Sequence, residues 1–316
     1  MSTVFMFPGQ SSRYQGMLGR IIAAWPTATS IVRDASQILG RDLAGQYGGN
    51  GHAFETNRDI QVGVFLVSHL HLSALQAAGV QGDYSLGLSL GEYNHLVHIG
   101  ALTFEHALRL VDARGQAYDR GPRGMMASVF PLELEELVPI VEQARAAGAI
   151  EIANYNSPTQ HVIAGDQPAV QAVMQRVDEE FCIEATVIEH NIPMHTPGFR
   201  PVAAWLRPHL EQADWQPPTR PYLPNVTAEL TEQPTPTLIK GMLERHVYSP
   251  VYWRESIDLL VRQLPDAAFV EVGPRAVLYN LLQKRWHPVQ KYRTDTTDDI
   301  AENLRMIDKE TTSPAA

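Results

Sequence analysis

Residues 84–100 read YSLGLSLGEYNHLVHIG, with Ser89 set between Gly87 and Gly91. "DYSLGLS" predicts a short strand, and a helix follows from Leu90 to about Gly100. A chain can pass from strand to helix in so few residues only through a tight turn, and small flanking residues give that turn its room. The stretch therefore constrains the fold to an α/β class, in which a strand feeds directly into a packed helix. Such a turn exposes the serine oxygen beside the first free N–H groups of the helix, which face a developing negative charge. The same five residues also suit an ordinary serine in a glycine-containing turn, and a nucleophile still needs a base.

The rest of the chain carries the pattern on. "STVFMF" up to Phe7 is a β-branched and aromatic run stopped by Pro8-Gly9, which predicts a buried strand entering a loop, with a helix after it. Helices are expected over residues 58–79 and from about Thr103 to Ala117, the latter carrying Leu108, Val111 and Arg114 on neighbouring turns. From Met125 the rhythm changes to strand "MMASVF", helix 131–147, strands "IEIANY" and "QHVIAG", helix 167–180 and strand "IEATVIE". That order is the β-α-β-β-α-β arrangement of ferredoxin-like units. It predicts a small inserted domain at 125–192, with residues 1–124 and 193–316 forming one large α/β domain around a parallel sheet. After Pro197 come a helix, a Pro-rich stretch at 217–224, helices near 235–246 and from Trp253, and the strand "AAFVEV" before Gly273-Pro274. The final "ETTSPAA" is expected to fray.

Composition narrows the function classes. The 316 residues are 44% hydrophobic and 19% charged, ordinary for a globular chain with one large core. Apolar runs such as "VGVFLVSHLHLSAL" are broken by Ser and His before the roughly 18 residues of a membrane span, so no membrane association is expected. The start lacks a basic segment followed by an apolar stretch, so no secretory signal is read and a cytoplasmic location is expected. A net charge of −10 argues against a nucleic-acid surface. The single cysteine, Cys182, allows no intrachain disulfide and is expected to be a buried small hydrophobe; no metal site is expected.

Of twelve histidines, His195 in "EHNIPMHTPGFRP" draws attention, because it falls where the two proposed domains join and a cleft would form. Other segments then carry a resemblance. "FPGQSSRYQGM" from Phe7 resembles an FPGQGSQ loop, and "GLSLGEY" a GHSLGE nucleophile elbow. "RGQAY" at Arg114, "NYNSP" at 154–158, "IPMHTPGF", "NVTA" at 225–228, "HVYSPVYW" and "EVGPRAVLYNLLQKR" follow in family order over nearly the whole chain. Together they are similar to the malonyl-CoA:acyl-carrier-protein transacylase family, including the acyltransferases of polyketide synthases.

The resemblance implies a hydrolase-like α/β core with a ferredoxin-like insertion and a Ser–His dyad working by ping-pong transfer. Ser89 would hold the acyl group as an ester and His195 would move the proton. The backbone N–H groups of Gln10 and Leu90 would form the oxyanion hole, and the backbone carbonyl of His246 would orient His195. Arg114 would hold the free carboxylate of a malonyl group, unless it is tied into an ion pair with Asp112 or Asp119. No cofactor is implied beyond a substrate, the phosphopantetheine thioester of a carrier protein or CoA. The implied partner is an acidic acyl carrier protein, met transiently by a local basic patch that Arg275, Lys284 and Arg285 could supply.

Several positions depart from the family pattern. Leu88 stands where the family has His, Met194 replaces Phe or Ser, Tyr118 stands where Met is frequent, and His246 replaces Gln; in the N-terminal loop Ser11 and Arg13 replace Gly and Gln. Clustered around the acyl pocket, these changes predict a different or larger acyl group. The expected function is thus transfer of a non-malonyl starter or intermediate between carriers in polyketide biosynthesis, as in the discrete acyltransferases the elbow also resembles. The alternatives are a malonyl-CoA:acyl-carrier-protein transacylase and a hydrolase that edits stalled acyl carriers.

Overall fold

The computed structural model describes residues 2–49 and 53–295. The first strand, β1 (Thr3–Phe7), is fully buried along its length. It is a central strand of a parallel sheet covered on both faces, so its apolar residues run continuously instead of alternating. Helices α1 (Met17–Ala24), α2 (Ala28–Leu39), α3 (Leu43–Gly48) and α4 (Asn57–Ala77) follow, then β2 (Tyr84–Gly87), α5 (Gly91–His98) and α6 (Phe104–Asp119). After the excursion described next, the chain returns through α9 (Arg200–Gln212), α10 (Pro236–His246), α11 (Trp253–Gln263), β7 (Ala268–Glu271), α12 (Val277–Leu281) and β8 (Gln290–Arg293). The sheet order is β2-β1-β7-β8, every pair parallel.

The excursion runs β3 (Met125–Val129), α7 (Leu134–Ala144), β4 (Ile150–Ser157), β5 (Gln160–Gly165), α8 (Gln167–Phe181) and β6 (Thr186–Glu189). Its four strands form a separate antiparallel sheet in the order β4-β5-β3-β6. It also has its own apolar cluster, in which Val129 and Ile163 from the sheet meet Leu137 of α7 and Val173 of α8. The antiparallel sheet is tied to the segment just before α11 where Tyr155 N–H donates to the Val251 carbonyl and Val251 N–H to that of Ala153, both at 2.9 Å.

Helix α4 is long and apolar enough to cross a membrane by length and composition, with a mean hydropathy of 1.3, which the sequence reading of broken apolar runs did not anticipate. It instead fills the core: 78% of that window is buried, and it packs along α6. Ser and His do not interrupt it because Ser68 and His71 are buried among its neighbours. Glu271, on a central strand, accepts from Leu278 N–H at 3.1 Å and Tyr279 N–H at 2.8 Å and so anchors the start of α12.

Three expectations need correction. Cys182 is exposed, not buried: it ends α8 in the left-handed region, at φ 55°, with its thiol outside the core. The helix expected at 131–147 is α-helical only over Leu134–Ala144, and "IEATVIE" is strand only over Thr186–Glu189. Helices α2 and α3 and strand β8 were not anticipated. The "ETTSPAA" tail lies outside the described residues.

Candidate active site

The elbow is built by close backbone crossing. Strand β2 ends at Gly87 and α5 begins at Gly91, leaving Leu88, Ser89 and Leu90 to reverse the chain. A Cβ on Gly87 would sit 2.0 Å from the Gly91 carbonyl carbon, and one on Gly91 would sit 2.1 Å from the Phe7 oxygen. Only hydrogen fits at either position, which is the physical reason for the Gly-x-Ser-x-Gly spacing. Ser89 itself is held at φ 50°, a conformation a non-glycine residue keeps only when its surroundings impose it. The surroundings here include Asn225, whose Oδ1 accepts from Ser89 N–H at 2.8 Å while its Nδ2 donates to the Gly87 carbonyl at 2.6 Å.

His195 reaches the serine from 106 residues away. Ser89 Oγ lies 2.8 Å from His195 Nε2, and His195 Nδ1 lies 2.8 Å from the carbonyl oxygen of His246. A carbonyl can only accept, so Nδ1 carries the proton and Nε2 is free to take one from the hydroxyl. His195 also has positive φ, 62°, and its ring stacks on that of His246 with centroids 4.9 Å apart. Burial holds the imidazole down to about 3, and the Arg114 charge pushes the same way. The base is therefore neutral in the resting site. Behind it, His246 Nδ1 lies 3.3 Å from Oε2 of Glu92, a fully buried carboxyl that burial raises to about 7. Tyr222 O–H and Asn225 N–H also donate to Glu92.

Arg114 projects from α6 to the other side of Ser89. Its side chain is enclosed, yet no carboxylate pairs with it among the described residues: Nη1 donates to Gln61 Oε1 at 2.7 Å, and Nη2 approaches Ser89 Oγ at 3.5 Å. Nε has no partner. The guanidinium lies over the Tyr118 ring, 4.2 Å from its centroid, and the Tyr118 hydroxyl is likewise buried without a partner. The ion pair offered as an alternative role does not form. Asp112 is taken by Arg58 and Arg41, and Asp119 accepts from the first N–H groups of α4. A buried cation lacking a counter-ion is costly, and a bound anion would relieve that cost.

The cleft above Ser89 is lined by Gly9, Gln10, Leu88, Met194 and His195 from the large sheet's loops, and by Met126, Ser128, Asn154 and Glu189 from the antiparallel sheet. Gln10 and Leu90 each begin a helical turn, and their N–H groups make no hydrogen bond to another described residue. Of the site residues expected from sequence, Ser89, His195, Gln10, Leu88 and Met194 line the cleft, and Arg114, Tyr118 and His246 lie directly behind it. Arg275, Lys284 and Arg285 are exposed and outside it. They flank α12, whose Val277 and Leu281 line the cleft, and Leu281 also lines a neighbouring groove with Arg285 and Trp286. Among the described residues, no group of three His, Cys, Asp or Glu side chains could hold a metal ion.

The sequence reading gave no role to four residues of the site, Gln61, Glu92, Asn225 and Glu189, although Glu92 and Asn225 fall within the segments "GLSLGEY" and "NVTA". Gln61 left one trace, the one side-chain amide among the buried residues of α4.

Comparison with known proteins gives the family. The model of the acyl transferase domain matches residues 4–298. A malonyl CoA-acyl carrier protein transacylase of Escherichia coli K12 is 31% identical over 287 residues, covering 89% of this chain and 91% of that protein. The solved structure of such a transacylase from Coxiella burnetii superposes with a TM-score of 0.90 at 28% identity, covering 99% of this chain and 98% of that one. A malonyl-transacylase solved in complex with its type II PKS acyl-carrier protein superposes at 0.89 with 26% identity, covering 97% of this chain and all of that one. With a Ser–His pair on a glycine-flanked elbow and a family match over nearly its whole length, the chain belongs to the acyl transferase domain family and is an acyltransferase.

Proposed function

We propose that the chain moves a malonyl group from CoA to the phosphopantetheine thiol of an acyl carrier protein, through an ester on Ser89. The observation that carries this reading is the buried Arg114 guanidinium, 3.5 Å from Ser89 Oγ and without a carboxylate partner among the described residues. A carboxylate-bearing acyl group supplies the missing counter-ion, and a planar guanidinium can hold it through two parallel hydrogen bonds. His195 Nε2 takes the Ser89 proton as Oγ attacks the thioester carbonyl. The carbonyl oxygen becomes an oxyanion facing the free N–H groups of Gln10 and Leu90. As the C–S bond breaks, the departing thiolate takes the proton from His195. The second half-reaction reverses these steps with the carrier thiol. No resident cofactor is needed, since CoA and the carrier's phosphopantetheine enter as substrates. The exposed cations Arg275, Lys284 and Arg285, on either side of α12, offer an acidic carrier a basic rim beside the cleft mouth.

Residues 125–192 are read with this as a ferredoxin-like unit inserted between 1–124 and 193–316. Their strand order and separate apolar cluster support that division.

A second reading keeps the dyad but changes the acyl group. Leu88 and Met194 line the cleft with apolar, adaptable surface, which favours a larger acyl unit of the polyketide type passed between carriers. Intact-mass analysis separates these from hydrolysis. Incubated with malonyl-CoA, the chain should gain one malonyl group, lose it to an added holo carrier, and gain none as Ser89→Ala. Rapid release as free malonate, with none on the carrier, would make it a hydrolase.

A further inference from the structure

Beyond the dyad and the anion pocket, the cleft holds a polar chain that no step above uses. Arg114 Nη1 donates to Gln61 Oε1 at 2.7 Å, Gln61 Nε2 donates to Gln10 Oε1 at 3.3 Å, and Gln10 Nε2 donates to Glu189 Oε1 at 2.8 Å. Arg13 closes it: its Nη1 donates to the same Glu189 oxygen at 3.1 Å and to the Gln10 carbonyl at 3.2 Å. Both ends of the Gln10 amide and its backbone carbonyl are thereby held, while its N–H is left free.

Glu189 is aimed there by a local irregularity. Strand β6 pairs with β3 as Met126↔Glu189 and Ala127↔Val187, so Ile188 is an extra residue, a bulge. In a regular strand consecutive side chains point to opposite faces. Here Ile188 and Glu189 both line the cleft, as a bulge beside a site permits. Arg13 is in turn one of the positions where the N-terminal loop departs from the family pattern. The pair is only partly shielded, with the Arg13 side chain 27% exposed and that of Glu189 10%. Its own contribution to stability is accordingly small. Its value lies in what it grips.

We propose that Glu189 and Arg13 are positioning residues for acyl transfer: reaching from the antiparallel sheet and the N-terminal loop, they clamp Gln10 so that its N–H points at the developing oxyanion. The inference rests on Gln10 being an oxyanion donor, as read above. Because Gln61 joins Gln10 to Arg114, the clamp also ties the oxyanion loop to the residue that holds the acyl carboxylate. The two ends of the substrate's acyl group would be registered by one hydrogen-bonded chain.

The test is single-turnover acylation of Ser89 by malonyl-CoA, followed by intact mass, for the wild type, Glu189→Ala, Glu189→Gln, Arg13→Ala and the Arg13→Ala/Glu189→Ala double variant. Deleting an oxyanion donor outright costs about 10²–10³ in rate; a donor that has merely lost its clamp is expected to cost about tenfold, in the rate constant far more than in KM. Glu189→Gln keeps an acceptor for Gln10 Nε2 and should recover most of the rate. The double variant should be no slower than the slower single, since both remove one device. Variants that acylate at the wild-type rate, even with a lowered melting temperature, would overturn the clamp, as would losses confined to KM or multiplying in the double variant. Failure of the wild type to form any Ser89 ester would instead sink the underlying reading of the site.

Discussion

A histidine serves as a base only over the pH range in which it stays unprotonated. For His195 that range is wide, because burial first and the Arg114 charge second hold it down to about 3. The sign follows directly: above that value the imidazole is neutral and competent, and activity is lost only as pH falls towards it. The Ser89 acylation rate should therefore be flat between pH 5 and 8. An acid limb near the ordinary histidine value of about 6.5 would show that water reaches the ring. Arg114 makes a second residue-level case. Its Nη1 is held by Gln61 and its Nε has no partner, so removing it takes away the one fixed cation beside the nucleophile among the described residues. Hydrogen bonds to charged groups contribute about 1.5–3 kcal/mol, so Arg114→Ala should slow malonyl loading by about 10- to 100-fold and leave an uncharged acyl thioester much less affected. Equal losses for both acyl groups in parallel acylation assays would remove the carboxylate role.

At the scale of elements, the elbow is two segments passing closer than any side chain allows. Gly91→Ala would force a methyl to within 2.1 Å of the Phe7 carbonyl oxygen, on the strand that anchors the sheet. Overpacking costs about 1–3 kcal/mol even where neighbours are flexible, and backbone is not, so the loss should reach or exceed that range. Chemical denaturation measures it directly, and an unchanged midpoint would mean that the crossing is looser than the structure has it. The elbow was legible in the chain because both glycines that permit this crossing fall within five consecutive residues. The partner histidine was not legible by spacing. His195 is one of twelve histidines, and its place at the junction of the two expected domains together with family resemblance, not periodicity, singled it out. Asn225 braces the elbow from a segment far away in sequence, and Glu92, inside the elbow segment itself, braces the base through His246; in each case a single polar residue looks the same in sequence whether it is solvated or essential. Cys182 misled for a related reason. A residue type that favours interiors sits at a helix end, where the backbone turns it outwards.

The whole molecule buries an unusual set of titrating groups. His69, His71 and His161 are held down to about 4, His95, His98 and His195 to about 3, and His246 well below its ordinary value, in each case by burial first. Unfolding lets all seven take protons as pH falls through about 6.5, so each favours the unfolded state there. Glu92 and Glu271, raised to about 7 by burial, act the opposite way between about 4.5 and 7, because the folded form holds their protons. Seven sites against two leave a net loss: the melting temperature should fall steadily from pH 7 to pH 5. A melting temperature that is level or rising over that interval would mean that the imidazoles are solvated. The overall architecture was legible because the alternation of strands and helices, and its change of rhythm at Met125, are periodic signals. The parallel order β2-β1-β7-β8 was not, because it joins strands whose pairing no local pattern records.

The central claim is that the acyl group is chosen by its carboxylate. The direct measurement compares single-turnover acylation of Ser89 by malonyl-CoA with that by an uncharged acyl-CoA of larger size, each read by intact mass. With Arg114 as the only unpaired buried guanidinium facing the nucleophile among the described residues, malonyl should load faster by about tenfold or more. Faster loading of the larger uncharged acyl group would contradict the claim and give the cleft to the apolar walls of Leu88 and Met194.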